Sequence, residues 1–278
     1  MTKIEWTKND DGSDGKSWNP VTGCSQIAEG CRFCYAKRMS KRLAGRAGYP
    51  PAPDNFKVTL HPDRLDQPLH WRKPTKIFVC SMSDLFHEDV PDEFIWDVWN
   101  VMRGTPRHIF MILTKRPQRM YSLIEFWHMG FYENIRLGVS VSMQADADRN
   151  IPWLLRTPAA YRFVSAEPLL SEIKMPFVNT KLQRLNQVII GCESGPGRRP
   201  MKLEWARDIV GQCREAGVDC FVKQIESDIC PDCDGKAFVN VGIDRDYAFC
   251  ATCRGEGKVK LHVERDMAKF PDDLRVRQ

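Results

Sequence analysis

Cys24, Cys31 and Cys34 stand in the order C-x6-C-x2-C, with Tyr35 directly after the last. Three thiolates on so short a stretch can hold three irons of a four-iron cluster and leave the fourth iron open for chemistry. Cys31 and Cys34 can turn tightly around one corner, while Cys24 reaches back over six residues, with Gly23 and Gly30 as pliable backbone beside the ligands. Two other uses of these thiols stay open. One is a zinc site completed by a distant histidine; the other is three unligated structural cysteines, against which their crowding into 11 residues argues.

A second group, Cys230, Cys233, Cys250 and Cys253, reads C-x2-C-x16-C-x2-C. Two such knuckles can meet at one tetrahedral zinc with Zn–S near about 2.3 Å. Gly235 and Gly255 follow each knuckle by two residues, and the strings resemble the cysteine-rich repeats of J-type chaperones, present here only twice. A second iron–sulfur cluster is the alternative. With four ligands used, no position is left for catalysis, so this module braces the fold or recognises a partner such as nucleic acid.

These groups need a scaffold. The chain has 278 residues, 42% of them hydrophobic, enough for one large domain with or without a small insert. It has no run of about 18 apolar residues. Its opening residues, Met1 to Trp6, carry no apolar signal core, which predicts a soluble cytoplasmic protein without a membrane span. In that reducing compartment, two tight clusters among eleven cysteines favour metal over disulfides. The net charge of +5 permits a polyanionic partner without demanding one.

From about residue 76, short apolar runs alternate with amphipathic stretches. The runs are Lys76–Ser81, His108–Thr114, Ile135–Val141, Tyr161–Ala166, Gln187–Gly191 and Asp219–Lys223, with an earlier strand near Lys16–Thr22. Their near-continuous hydrophobicity suits strands covered on both faces. Helices are predicted over Asp92–Arg103, Gln118–His128, Ala145–Arg156 and Leu203–Ala216. The alternation predicts an α/β fold of six or seven βα units, a partial or full TIM-like barrel. The expected organisation is a barrel over 1–228, a zinc-ribbon module over 229–258 and a tail over 259–278, either packed or partly loose.

Each predicted strand ends in polar residues, on the side where βα barrels carry their active sites. Ordinary strand-end polarity explains any one of them; six in succession weaken that explanation. Glu193-Ser194-Gly195-Pro196-Gly197 is a tight turn that could bind phosphate or cofactor through backbone amides. Arg32, Lys37, Arg38, Lys41, Arg42 and Arg46 follow the cysteines with no acid between them, either a solvated helix face or a phosphate-facing stripe.

The cysteine loop resembles a variant of the radical S-adenosylmethionine (AdoMet) cluster loop, whose commonest form has three residues in the first gap. Seven strings are similar to a three-cysteine-motif family of unsettled activity, common in phages and bacterial mobile elements. They are Ile4–Thr7, Trp18–Cys24, Ser81–His87, Leu113–Pro117, Leu137–Ser140, Phe163–Leu169 and Glu193–Gly197, in order over roughly residues 4–226. The resemblance implies a [4Fe-4S] cluster on Cys24, Cys31 and Cys34, with AdoMet on the open iron. Reductive cleavage would yield a 5′-deoxyadenosyl radical that abstracts hydrogen from substrate, and a reductant protein would supply the electron. It also implies that Tyr35 lies near adenine and that Ser81, Ser83 or Asp84 meets the methionine ammonium, Asp84 being alternatively a helix N-cap. Ser140, Ser142 and Glu167 would meet ribose or methionine, Lys115 and Arg116 a carboxylate or substrate phosphate, and Glu193 would belong to the cofactor turn. The basic stripe and the zinc module lean the substrate toward a nucleic-acid base or nucleotide, for modification or lesion repair. The rival functions are a non-catalytic, zinc-dependent nucleic-acid-binding protein and a barrel hydrolase with another metal.

Overall fold

The computed structural model describes residues 4–177, 183–229, 238–240, 247–249, 258–264 and 267–275. Seven parallel strands form a curled half-barrel sheet. They are β1 (Lys16–Trp18), β4 (Lys76–Val79), β5 (Ile109–Thr114), β6 (Ile135–Val141), β7 (Tyr161–Ala166), β8 (Gln187–Gly191) and β9 (Asp219–Ile229), neighbours in that order. A small antiparallel pair, β2 (Val21–Thr22) and β3 (Thr59–Leu60), lies in the first crossover. Helices α2 (Asp92–Arg103), α3 (Pro117–Phe126), α4 (Gln144–Arg156) and α5 (Leu203–Ala216) fill four later crossovers. The described residues between β7 and β8 contain no helix.

Each strand is read by period two. In β5, Phe110 and Ile112 join the helix-side core, while Met111 and Leu113 face the concave side. The same alternation puts Phe163 of β7, Ile189 of β8 and Phe221 of β9 on the concave face. On the convex face, α2 buries Phe94, Ile95, Val98, Trp99 and Met102, a helical stripe in which each large side chain contributes about 1.5–3 kcal/mol. The one-turn helix Glu5–Thr7 carries Trp6, which packs against the concave-face cluster. Its Trp6 ring lies 4.8 Å from Phe78 of β4 and 5.9 Å from Phe163 of β7, strands separated by two others in the sheet.

Of the two expected barrel forms, the open one is found: β1 lies at one edge of the sheet and β12 (Lys258–Glu264) at the other. β12 pairs antiparallel with β9, with Glu264 opposite Ile225 and Lys258 opposite Ile229. Between them, β10 (Phe238–Asn240) and β11 (Tyr247–Phe249) form a separate antiparallel pair. The predicted zinc ligands Cys230, Cys233, Cys250 and Cys253 lie outside the described residues. Phe270 and Leu274 are buried against the core, so the tail is packed where it is described. Among the described residues, no helix is long and apolar enough to cross a membrane.

Candidate active site

A cavity of about 700 Å³ opens at the carboxyl ends of the parallel strands, and Cys24, Cys31 and Cys34 all line it. The loop that carries them is pinned to the sheet by backbone bonds. Gly23 N donates to Met82 O (3.1 Å), Cys24 N donates to Phe56 O (3.1 Å), and Gly23 bridges Ser83 in parallel register. A one-turn helix, Glu29–Cys31, then leads into helix α1 (Tyr35–Leu43). α1 buries Ala36 and Ser40 against the body of the protein. Lys37, Arg38, Lys41 and Arg42 of α1, with Arg32 and Arg46 beside it, are exposed, and α1 contains no acid.

Burial pushes the Cys24 thiol up to about 12, with Asp84 adding to the shift and Arg116 opposing it. A free thiolate is therefore disfavoured there, whereas a bound metal ion deprotonates a coordinating thiol outright. Among the described residues, no three His, Cys, Asp or Glu side chains converge as they would around one ion. Three soft thiol donors on one loop, facing a shared cavity, fit a cluster whose irons each take one thiolate.

Eight of the nine predicted cofactor-binding residues line the cavity. Tyr35 is half exposed toward it, and its hydroxyl donates to the Ser81 carbonyl. Ser81 and Ser83 are anchored through their own hydroxyls, to Asn19 Oδ1 (3.2 Å) and Val21 O (2.9 Å). Lys115 Nζ donates to Ser140 Oγ at 2.8 Å, and among the described residues the ammonium forms no ion pair. Glu167 is paired with Lys223 across the cavity. Ser142 is not among the lining residues. It is fully buried beneath the cysteine loop, where a Cβ on Gly30 would stand 2.1 Å from its Oγ.

Asp84 lines the cavity but has its acceptors filled. Oδ1 accepts from Thr114 Oγ1 (2.7 Å) and Phe86 N (3.0 Å), and Oδ2 accepts from Lys115 N (3.0 Å) and Arg116 Nη1 (3.2 Å). Asp84 thus holds the loops after β4 and β5 together; it is neither a helix cap nor a free acceptor for an ammonium. Arg116 is likewise engaged. Nε donates to Glu88 Oε2 (2.7 Å), Nη2 to Ser25 Oγ (2.8 Å), and Nη1 also to Cys24 Sγ (3.7 Å).

The turn after β8 packs onto the cysteine loop. Glu193, buried, is gripped by Arg199 through Nη2 to Oε1 (2.7 Å) and Nε to Oε2 (3.0 Å). Gly195 has φ +99°, a left-handed conformation that calls for glycine, and the Arg38 guanidinium lies over it. The turn expected to bind phosphate or cofactor thus sits against the loop that carries the thiols. Trp6 and Lys223 also line the cavity, and Arg199 holds Glu193 at its wall. Lys223 carried a signal, a polar residue at a strand end; Trp6 and Arg199 act through contacts distant in sequence.

Residues 1–236 match the model of the family described as "Protein of unknown function (DUF5131)", and the chain belongs to that family. No curated protein matches the chain. Among solved structures, a spore photoproduct lyase mutant with bound AdoMet and dinucleoside spore photoproduct aligns over 84% of this chain and 68% of its own, at 10% identity and a TM-score of 0.41. A second, spore photoproduct lyase complexed with dinucleoside spore photoproduct, aligns over 83% and 67%, at 10% identity and a TM-score of 0.40.

Proposed function

We propose that this DUF5131 member is a radical AdoMet enzyme, with its [4Fe-4S] cluster on Cys24, Cys31 and Cys34. The observation that carries the proposal is that all three loop thiols open onto the same cavity as the polar ends of the parallel strands. Bound there, the cluster and AdoMet would supply one-electron cleavage of the sulfonium and a 5′-deoxyadenosyl radical to draw hydrogen from a substrate. The chain's own residues bind, orient and exclude water. Tyr35, fixed through its hydroxyl, offers a ring for adenine to lie on. Lys115, held by Ser140, offers an ammonium for the methionine carboxylate. Ser81, Ser83, Ser140 and Glu167 supply the acceptors for ribose and the methionine ammonium, with Lys223 holding Glu167 in place. Asp84 and Glu193 serve by fixing the loops around the ligand.

The substrate we favour is a nucleic-acid base or nucleotide. The exposed basic face of α1 begins directly after the cysteine loop, at the cavity, and with Arg32 and Arg46 beside it gathers six cations with no acid on the helix. Cys230, Cys233, Cys250 and Cys253 are proposed to hold one structural zinc on the strength of their spacing. The same reading divides the chain into a barrel over 1–228, a zinc ribbon over 229–258 and a tail over 259–278. It places the enzyme in the reducing cytoplasm with a protein reductant.

Anaerobic reconstitution tests this. A brown protein with about four irons and one zinc per chain is expected. Colourless protein holding only zinc would instead support a non-catalytic binding protein.

A further inference from the structure

We infer that Arg116 positions the first cluster ligand and sets the charge around it, an inference that rests on Cys24, Cys31 and Cys34 holding the cluster. Arg116 is 6% exposed, and its guanidinium ties two other loops to its own. It meets Asp84 and Glu88 after β4, and Ser25 and Cys24 on the cysteine loop, from its own place after β5. His87, also buried, completes the hold on that loop. Its Nε2 lies 2.7 Å from Ser25 Oγ, and it accepts from Ser25 N at 3.2 Å.

Two carboxylates already balance the Arg116 charge, one buried (Asp84) and one exposed (Glu88). A salt bridge alone needs no sulfur acceptor. Yet Nη1 is shared between Asp84 Oδ2 and Cys24 Sγ. A neutral thiol is a weak acceptor, while a thiolate is a charged one, and hydrogen bonds to charged acceptors are roughly twice as strong. The guanidinium is thus set for a ligated Cys24. Asp84, locked by Thr114 and the Lys115 amide, fixes the direction from which it approaches.

A donor and a positive charge at a ligand sulfur stabilise the cluster's more negative, reduced state and raise its reduction potential. Removing Asp84's charge unmasks Arg116 and acts in the same direction. Arg116→Gln and Asp84→Asn therefore move the potential in opposite senses, a signature that simple loosening of the loop does not produce.

The test is an EPR-monitored redox titration of the reconstituted protein without AdoMet. Arg116→Gln is expected to shift the potential to more negative values, Arg116→Lys to shift it less, and Asp84→Asn to shift it to more positive ones. Should Arg116→Gln lose its iron, Arg116→Lys and Asp84→Asn still decide the sign. Potentials unchanged in the variants, or moving the same way in Arg116→Gln and Asp84→Asn, would overturn the inference while the functional reading stands. A wild-type protein that forms no cluster would defeat the functional reading itself, and this inference with it.

Discussion

Arg199, on the turn after β8, meets Glu29, on the cysteine loop 170 residues earlier, with 2.9 Å between Nη1 and Oε2. The same guanidinium grips buried Glu193 with Nε and Nη2, and Nη2 also donates to the Glu29 carbonyl (3.0 Å). One side chain therefore straps the far end of the sheet to the loop that carries the thiols. Arg199→Ala takes the guanidinium from buried Glu193 and leaves its carboxylate the backbone N–H of residue 199, which donates to Oε2 (2.8 Å). The expected cost is about 2 kcal/mol, since the pair is partly open to solvent. Urea denaturation measures this, and hydrogen exchange at residues 24–34 is expected to speed up. Unchanged stability and exchange would show the strap to be idle.

Gly30 lies against Ser142, so Gly30→Ala pushes the cysteine loop off its seat. The variant is expected to take up less iron on reconstitution, and Ser142→Ala in the same chain to restore part of it by removing the clashing hydroxyl. Full iron content in Gly30→Ala would mean that the loop tolerates displacement.

How much of this was legible beforehand depended on whether the cause was local. Strands covered on both faces write themselves as apolar runs, so β6, β7 and β8 have the expected bounds, and the helical stripe of α2 marked Asp92–Arg103. The cavity rim was legible because strand ends in a parallel sheet share one side. Pairings between distant residues left no such trace. Asp84 and Arg116, 32 residues apart, each read as a ligand for a small molecule, and the two are paired with each other. Ser142 follows Ser140 by two positions, but it stands just past the end of β6, where the chain has turned beneath Gly30. β12 was hidden because an edge strand with mixed charge lacks the apolar run of a buried one.

His61 and His108 give stability a pH dependence of known sign. Both are buried and held below the ordinary imidazole range, first by burial and also by a neighbouring arginine, Arg64 and Arg107 respectively. In the unfolded chain they take up protons near about pH 6.5; in the folded protein they stay neutral to lower pH. The unfolded state therefore binds more protons below that value, and stability falls as pH drops through it. The urea midpoint is expected to be lower at pH 5.5 than at pH 7.5. An equal or higher midpoint at pH 5.5 would contradict this.

Lys115 supplies a cation at the cavity wall, hydrogen-bonded to Ser140. If it takes the methionine carboxylate, Lys115→Met removes a charge-assisted bond worth about 1.5–3 kcal/mol, or about ten- to a hundredfold in affinity for AdoMet. Isothermal titration of AdoMet into anaerobic, cluster-loaded protein reads this directly. Equal affinity in wild type and variant would remove Lys115 from the site.

The most direct measurement is product formation by the reconstituted protein given dithionite and AdoMet. We expect 5′-deoxyadenosine to accumulate with wild type and to be absent, together with the iron, when Cys31 is changed to Ala. A protein that loads its cluster fully and never cleaves AdoMet would contradict the account.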